Sequence, residues 1–423
     1  MNHNRLHPII ILLIMSLIAV VGCAGPQGPE GQLGPAGAAG PVGPVGPAGQ
    51  DATASQEFVG SEKCGECHEN IYSKFTLSAH PNDIVKIDGA APAYPYDSIT
   101  GGVPEPPEGH TWDDISYVIG GNGWKALFLD QDGYIITGPT AQYNFAVERI
   151  TFEADAGWST YHDGEQNVIA DCGQCHTTGY RPQGHQNNLE GIEGTWEFEG
   201  VQCENCHGPG SRHAADPYGV HMVLDRSSQL CGECHYRGDK VTIQASDGFE
   251  EHNQQFNDLY NSKHFALSCV TCHDPHASSL YADETVNPKE GINQVCESCH
   301  WAQKAVQNNP QHFNVQCVDC HMPYMALSAQ GDIERFTADI RSHQFAINPD
   351  PAAAQFSEDG SQVMPYLTLQ YACQHCHNGS FFTSRDLDEL AEMANGYHDP
   401  IPPTPTPSPE PTATPEAGTG SSS

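Results

Sequence analysis

The sequence predicts a fold of short helices and loops, with one small β-hairpin, wrapped around covalently attached groups that replace much of a conventional core. Three observations lead there. Of the 17 cysteines among 423 residues, 16 fall into eight Cys-x-x-Cys pairs, each followed at once by histidine. Only 38% of residues are hydrophobic and the mean hydropathy is -0.47, although a chain of this length ordinarily buries extensive apolar cores. Glycine and proline number 42 and 32, which keeps regular elements short.

The motifs are Cys64/Cys67 with His68, Cys172/Cys175 with His176, Cys203/Cys206 with His207 and Cys231/Cys234 with His235. The other four are Cys269/Cys272 with His273, Cys296/Cys299 with His300, Cys317/Cys320 with His321 and Cys373/Cys376 with His377. Cys-x-x-Cys-His is the attachment signal of c-type haem. Both thiols add to the haem vinyl groups and the histidine reaches the iron as proximal ligand. Zinc also uses Cys-x-x-Cys pairs, two to a tetrahedral site, but requires no histidine after each pair. With 23 histidines in the chain, one such coincidence has odds of roughly one in twenty, and eight together are negligible against the zinc spacing rule. The fold class expected is a multihaem cytochrome c, mainly α and loop around eight stacked haems.

The seventeenth cysteine belongs to the N-terminus. Arg5 supplies a positive start, and Ile9 to Val21 is an apolar stretch broken by Ser16. That is too short for a membrane span and right for a secretory signal, residues 1–22. It ends in Val20-Val21-Gly22-Cys23, which resembles a bacterial lipobox and implies lipidation at Cys23. The chance alternative is an ordinary signal peptide with an unrelated cysteine. With all cysteines assigned, no structural disulfide is expected despite an oxidising compartment.

From Cys23 to Asp51 runs a stalk of nine Gly-X-Y triplets with proline in six X positions, a collagen-like pattern. It is compatible with a homotrimer and equally with a single extended tether. From Asp399 onward the chain is rich in Pro and Thr and lacks large apolar residues after Ile401, so a disordered tail is expected there. Residues 52–398 form the cytochrome domain between them.

Motif spacing inside that domain is uneven. A gap of 108 residues separates His68 from His176, whereas the motifs from His176 to His321 follow one another at 21 to 38 residues. The long gap holds the hairpin signal: Lys125 to Asp130 and Tyr134 to Thr137 flank Gln131-Asp132-Gly133. Trp112, Trp124 and Trp158 are expected to pack on it or on a haem edge. Thr195 to Glu199 alternates as another strand would. Helices are expected around Glu69 to Ser78 and Ser384 to Asn395.

A formal charge of -36, from 53 acidic and 17 basic residues, argues against nucleic-acid binding. It favours basic docking partners, such as other redox proteins or cytochromes. No catalytic residue is assigned. Setting aside two histidines in the signal and eight in the motifs, 13 remain for the second face of each iron: His80, His110, His162, His185, His213, His221, His252, His264, His276, His312, His343, His375 and His398. Histidine on both faces suits electron transfer, whereas an open face admits a substrate. A histidine close in sequence to an attachment motif cannot swing around its own macrocycle, so His276 is expected to serve a neighbouring haem. His375 lies inside its own motif and is not expected to be a ligand. Met222, Met322 and Met325 are less suitable, given this surplus of histidine.

The segments CGECHENIYSKFTLSAH, CHTTGY and GVQCENCHGPGSRH resemble the cytochrome c-554-like multihaem family. HFNVQCVDCHMPY followed by SHQF resembles the pentahaem nitrite reductases and octahaem hydroxylamine oxidoreductases. The resemblance implies distal roles for His80, His213, His312 and His343, and more loosely for His162 and His264. His276 is a seventh candidate, and His398 is chosen over His221 as the eighth. The catalytic relatives place His, Tyr and Arg around an open iron, for which His221, Tyr324 and Arg341 are candidates here. No Cys-x-x-Cys-Lys motif occurs.

The function expected is therefore electron relay outside the cytoplasm, periplasmic or at the cell surface, on the outer face of a membrane. A reductase for nitrite, hydroxylamine or a sulfur oxyanion is the alternative, and a polymerising filament subunit is a third reading. Lipid at Cys23 supplies two or more acyl chains, enough for stable anchoring. Cys23→Ser should release the protein from sedimented membranes into the soluble fraction, as followed by haem staining, and a variant that still pellets would exclude the lipobox.

Overall fold

In the computed structural model the described residues are 56–145, 156–280, 291–303, 312, 315–380 and 382–399. The signal segment, Cys23, the Gly-X-Y stalk and the tail beyond Asp399 lie outside them.

The expectation of mainly helix and loop with one small hairpin needs correction. The largest regular element is an antiparallel five-stranded sheet in the order β1-β2-β3-β4-β5, formed by Ile84–Lys86, Ile115–Gly120, Lys125–Asp130, Gly138–Asn144 and Gly157–Tyr161. Helices are short: among the described residues the longest, Leu387–Ala394, has eight. It is capped by the Asp386 side chain on the Glu389 N–H, the expected start signal.

β2 explains why sequence patterning understated the sheet. Its residues Ile-Ser-Tyr-Val-Ile are all buried, so the run does not alternate as a half-exposed strand would. Ile115 and Val118 pack with Phe128, Tyr143 and Phe145 on one side. Tyr117 and Ile119 pack with Ile84, Leu129 and Trp196 on the other. The turn at Gln131-Asp132-Gly133 forms where expected, with Gly133 N–H donating to Asp130 O. The second arm differs, because Ile135 makes isolated bridges to Leu129 and Val168 and β4 pairs with β3 instead. Trp112 and Trp158 lean on Phe128 at ring separations of 6.4 and 5.5 Å. Trp124 donates instead to Asp339 O, 2.8 Å away.

A four-stranded sheet joins distant segments in the order β11-β10-β9-β8, from Ile340–Arg341, Tyr324–Leu327, Phe249–Glu251 and Ala245–Ser246. Its core gathers Phe249, Met325, Leu367 and Tyr371, so Met325 is a packing residue. A two-stranded ladder, β6 (Thr177–Thr178) with β7 (Phe198–Glu199), begins immediately after His176. β7 covers only the end of the expected Thr195–Glu199 strand. Among the described residues no helix is long and apolar enough to cross a membrane.

Phe128 is fully buried at the centre of the large sheet. Phe128→Ala should destabilise the protein by about 3–5 kcal/mol, read as a lowered urea midpoint by circular dichroism. An unchanged midpoint would mean that this sheet does not unfold with the rest.

Candidate haem-binding sites and their order

Each attachment motif folds as a single turn. The histidine N–H donates to the carbonyl of the first cysteine four residues earlier, at 2.9 Å for His68 and 3.1 Å for His176. Positions i, i+3 and i+4 share one face of a helical turn, so both thiols and the imidazole project to the same side. This is why the spacing is Cys-x-x-Cys-His and not another. Among the described residues no cluster of three or more His, Cys, Asp or Glu is arranged to hold a bare metal ion, so the pairs do not assemble into tetrahedral sites.

Across from seven of these turns stands a second histidine. His68 faces His213 with ring centroids 6.3 Å apart, His235 faces His80 at 6.3 Å, and His207 faces His276 at 6.2 Å with rings within 2° of parallel. His273 faces His343 at 6.1 Å, His300 faces His264 at 5.9 Å, His377 faces His312 at 6.1 Å and His321 faces His398 at 5.9 Å. Two imidazoles bound to one metal through bonds of about 2 Å have centroids roughly 6 Å apart, so these pairs fit an intervening iron.

The hydrogen bonds fit it too. His207, His213 and His321 donate Nδ1–H to the carbonyls of Val223, Val220 and Phe345 at 2.8, 2.6 and 2.7 Å. Such bonds fix the tautomer that leaves Nε2 bare for a metal and orient the ring. His276 uses the Asp274 carboxylate at 3.0 Å, and His312 meets the Tyr397 hydroxyl at 2.7 Å. Burial, with the facing histidine adding to it, pushes His80 down to about 4 and His343 to about 3. Both are neutral, ligand-competent imidazoles at pH 7.

Seven of the eight distal candidates therefore meet an attachment histidine, and His162 does not. It lies in the left-handed region (φ 44°) just after β5, its Nδ1 3.0 Å from Glu165 and its ring against Tyr161. His176 in turn has no histidine ring against it among the described residues. His375 donates to the Tyr371 carbonyl at 2.8 Å. The candidates for an open site are not gathered as such a site requires. Arg341 binds the carbonyls of Val318 and Met322 and the Asp319 carboxylate while stacking 4.2 Å over Tyr324, and His221 makes no ring contact with Tyr324. That arginine braces the Cys317–His321 turn.

The turns adjoin one another through their cysteines. The sulfurs of Cys64 and Cys203 lie side by side, as do those of Cys175 and Cys234, Cys231 and Cys269, and Cys296 and Cys317. Cys206 lies within electrostatic reach of Cys231 and Cys234, Cys272 of Cys299, and Cys320 of Cys373. Named by their histidines, the sites run His68, His207, His235, His273, His300, His321, His377, with the His176 site beside His235. All of these turns except that of His377 line one continuous cavity of about 3460 Å³.

Glu204, within the Cys203–His207 turn, ties the first two sites of this run. Its buried carboxylate accepts from the N–H groups of Val59, Gly60 and Gly210 at 2.9, 2.8 and 2.7 Å. Gly60 has φ +81°, a conformation open to glycine without a Cβ penalty, and it leads directly into the Cys64 turn. Gly200 (φ +71°) similarly lets Val201 N–H reach His80 O at 2.7 Å.

The chain is similar to known multihaem cytochromes. The family model of cytochrome c554 and c-prime matches residues 145–208, and that of the doubled CXXCH motif matches residues 264–305. The multiheme cytochrome MtrA of Shewanella baltica is 29% identical over 117 residues, which are 26% of this chain and 30% of that protein. The octaheme sulfite reductase MccA of Wolinella succinogenes shares the fold with TM-score 0.55 at 17% identity, over 81% of this chain and 72% of that one. The outer cell wall cytochrome OcwA aligns with TM-score 0.49 at 16% identity, over 80% of this chain and 86% of that one.

Glu204→Ala leaves three N–H groups without their acceptor, at about 1–3 kcal/mol for each that stays unmet. It should lower the unfolding midpoint and reduce haem occupancy of the Cys64/Cys67 peptide by mass spectrometry, with Glu204→Gln milder. Full occupancy and stability in the alanine variant would show that the carboxylate does not organise these two sites.

Proposed function

From the premise that the chain is a multihaem c-type cytochrome of electron transfer, we propose that it carries eight haems and passes electrons along them outside the cytoplasm. The observation that carries this reading is the set of seven histidine pairs at 5.9–6.3 Å, each pair fitting one iron. Haem iron so ligated supplies a reversible one-electron couple that needs no open coordination position.

The residues of the chain do the rest. Cys64/Cys67 and their seven counterparts would anchor the groups, and the attachment histidines with His80, His213, His264, His276, His312, His343 and His398 would hold the irons. Contacts between cysteines of successive turns bring neighbouring sites edge to edge, the arrangement a relay requires. Bis-imidazole ligation keeps potentials below those of His/Met ligation, which raises them. The acidic chain favours basic redox partners, in docking that weakens with salt. Cys23 would hold it to the outer face of a membrane, with the Gly-X-Y stretch as a spacer or trimerising stalk.

Intact mass spectrometry should find eight haems per chain, and six or fewer would defeat the octahaem count. His213→Ala and His276→Ala should each convert one low-spin signal to high-spin in low-temperature EPR while the other pairs persist. Unchanged spectra in both variants would remove these histidines from the ligand set.

A further inference from the structure

Among the seven histidine pairs, the one at the His207 site is held by a carboxylate, and that carboxylate belongs to the attachment turn two sites further along the run. We propose that Asp274 makes the His207 haem the lowest-potential site of the run, a redox step that divides the His68 end from the stretch His235 to His377. This deepens the relay reading and rests on it for the haems themselves.

The segment Cys272-His273-Asp274-Pro275-His276 serves three neighbouring sites at once. His273 is the attachment histidine of its own turn, and His276 faces His207. Between them the Pro275 carbonyl accepts from the ring of His80, which faces His235. The backbone of the segment is pinned from outside. Asp274 N–H donates to Gly291 O at 3.1 Å, Asn293 N–H to Cys272 O at 2.8 Å, and the Asn293 side chain to His273 O at 2.8 Å. Within that frame Asp274 Oδ1 accepts from both the backbone N–H and the ring Nδ1–H of His276, each at 3.0 Å. The ring so fixed presents its Nε2 edge to His207, with the two rings 6.2 Å apart and within 2° of parallel.

The acceptors at the other pairs are neutral. His213, His321 and His343 donate to the carbonyls of Val220, Phe345 and Arg341, His235 meets the Gln255 side-chain oxygen, and His312 meets the Tyr397 hydroxyl. Among the described residues no other paired histidine has a carboxylate within hydrogen-bond distance of its ring. Asp83 stands 3.8 Å from His176, beyond that distance.

A carboxylate acceptor draws the Nδ1 proton toward itself and makes the imidazole a stronger donor through Nε2. A stronger donor stabilises ferric over ferrous iron, and second-shell hydrogen bonding is one of the means by which a protein sets a haem potential. Asp274 is therefore a positioning residue that acts through His276. The relay step itself moves one electron, reducing one ferric site as its neighbour is reoxidised, with no other bond made or broken. Because the His207 site lies between those of His68 and His235, a low potential there opposes the return of an electron from His235 to His68.

The test is a potentiometric titration of the purified full-length holoprotein, followed by low-temperature EPR. The His207 component is identified as the low-spin signal that His276→Ala removes. In the wild type that component should be the last low-spin signal to be reduced. Asp274→Asn keeps an acceptor oxygen and removes the charge. It should shift the reduced-to-oxidised ratio of that component about tenfold upward at a fixed potential, a rise of about 59 mV for a one-electron couple, with the other components unmoved. A low-spin component of unchanged potential in Asp274→Asn would overturn the proposal. So would a wild-type protein in which the His276-dependent component is reduced ahead of any other low-spin signal, a result that stands even where Asp274→Asn fails to load haem. Absence of low-spin haem throughout the wild type would count against the relay reading instead, so the two fail separately.

Discussion

The separation of about 6 Å between paired imidazoles is the constraint on which the rest of the architecture depends. The partners of a pair lie between 36 residues apart, for His264 and His300, and 155, for His80 and His235. An iron bridging such a pair would close a long loop, and closing long loops by a strong bond restricts the unfolded chain most. Because liganding free energy is also folding free energy, bound haems would take over the task that disulfides perform in many small domains. That explains how a chain with 38% hydrophobic residues holds together although, among the described residues, no helix exceeds eight residues and the apolar clusters sit on the two larger sheets.

What the sequence made legible follows the range of the interaction involved. The attachment turns are local: two thiols and an imidazole within five residues announce themselves. The second histidine of each pair is a long-range partner, and only surplus, spacing and resemblance pointed to it. His162 shows the limit of such reasoning. It had the right residue type in a suggestive context, but a left-handed backbone and Glu165 turn it away. The sheet was underestimated for a related reason. β2 is covered on both faces, so its residues carry no alternation, and only its pairing with strands on either side reveals it.

Charge separates the two environments that one protein provides. The chain is acidic, which serves solubility and the steering of basic partners. Inside, burial holds His80, His235, His264, His273, His312, His343 and His398 below the usual imidazole range, which favours the neutral, ligand-competent form. Near the His176 turn the large cavity also holds Lys125 and Arg237, the first tied to Ser328 O and the second, partly exposed, to Glu251.

The 108-residue gap between the first two attachment motifs builds the five-stranded sheet. That sheet delivers three residues to the cavity that the His176 turn lines. Asp83 immediately precedes β1, Lys125 opens β3 and Tyr161 ends β5. Across the cavity, the β9–β10 sheet contributes Ser328, which anchors Lys125, and leads through Glu251 to His252. The tightly spaced motifs that follow leave only short connections, enough to hold one attachment turn against the next and supply a distal histidine. The insertion therefore surrounds the His176 turn with side chains delivered by a β scaffold, whereas the closely spaced turns are surrounded chiefly by one another.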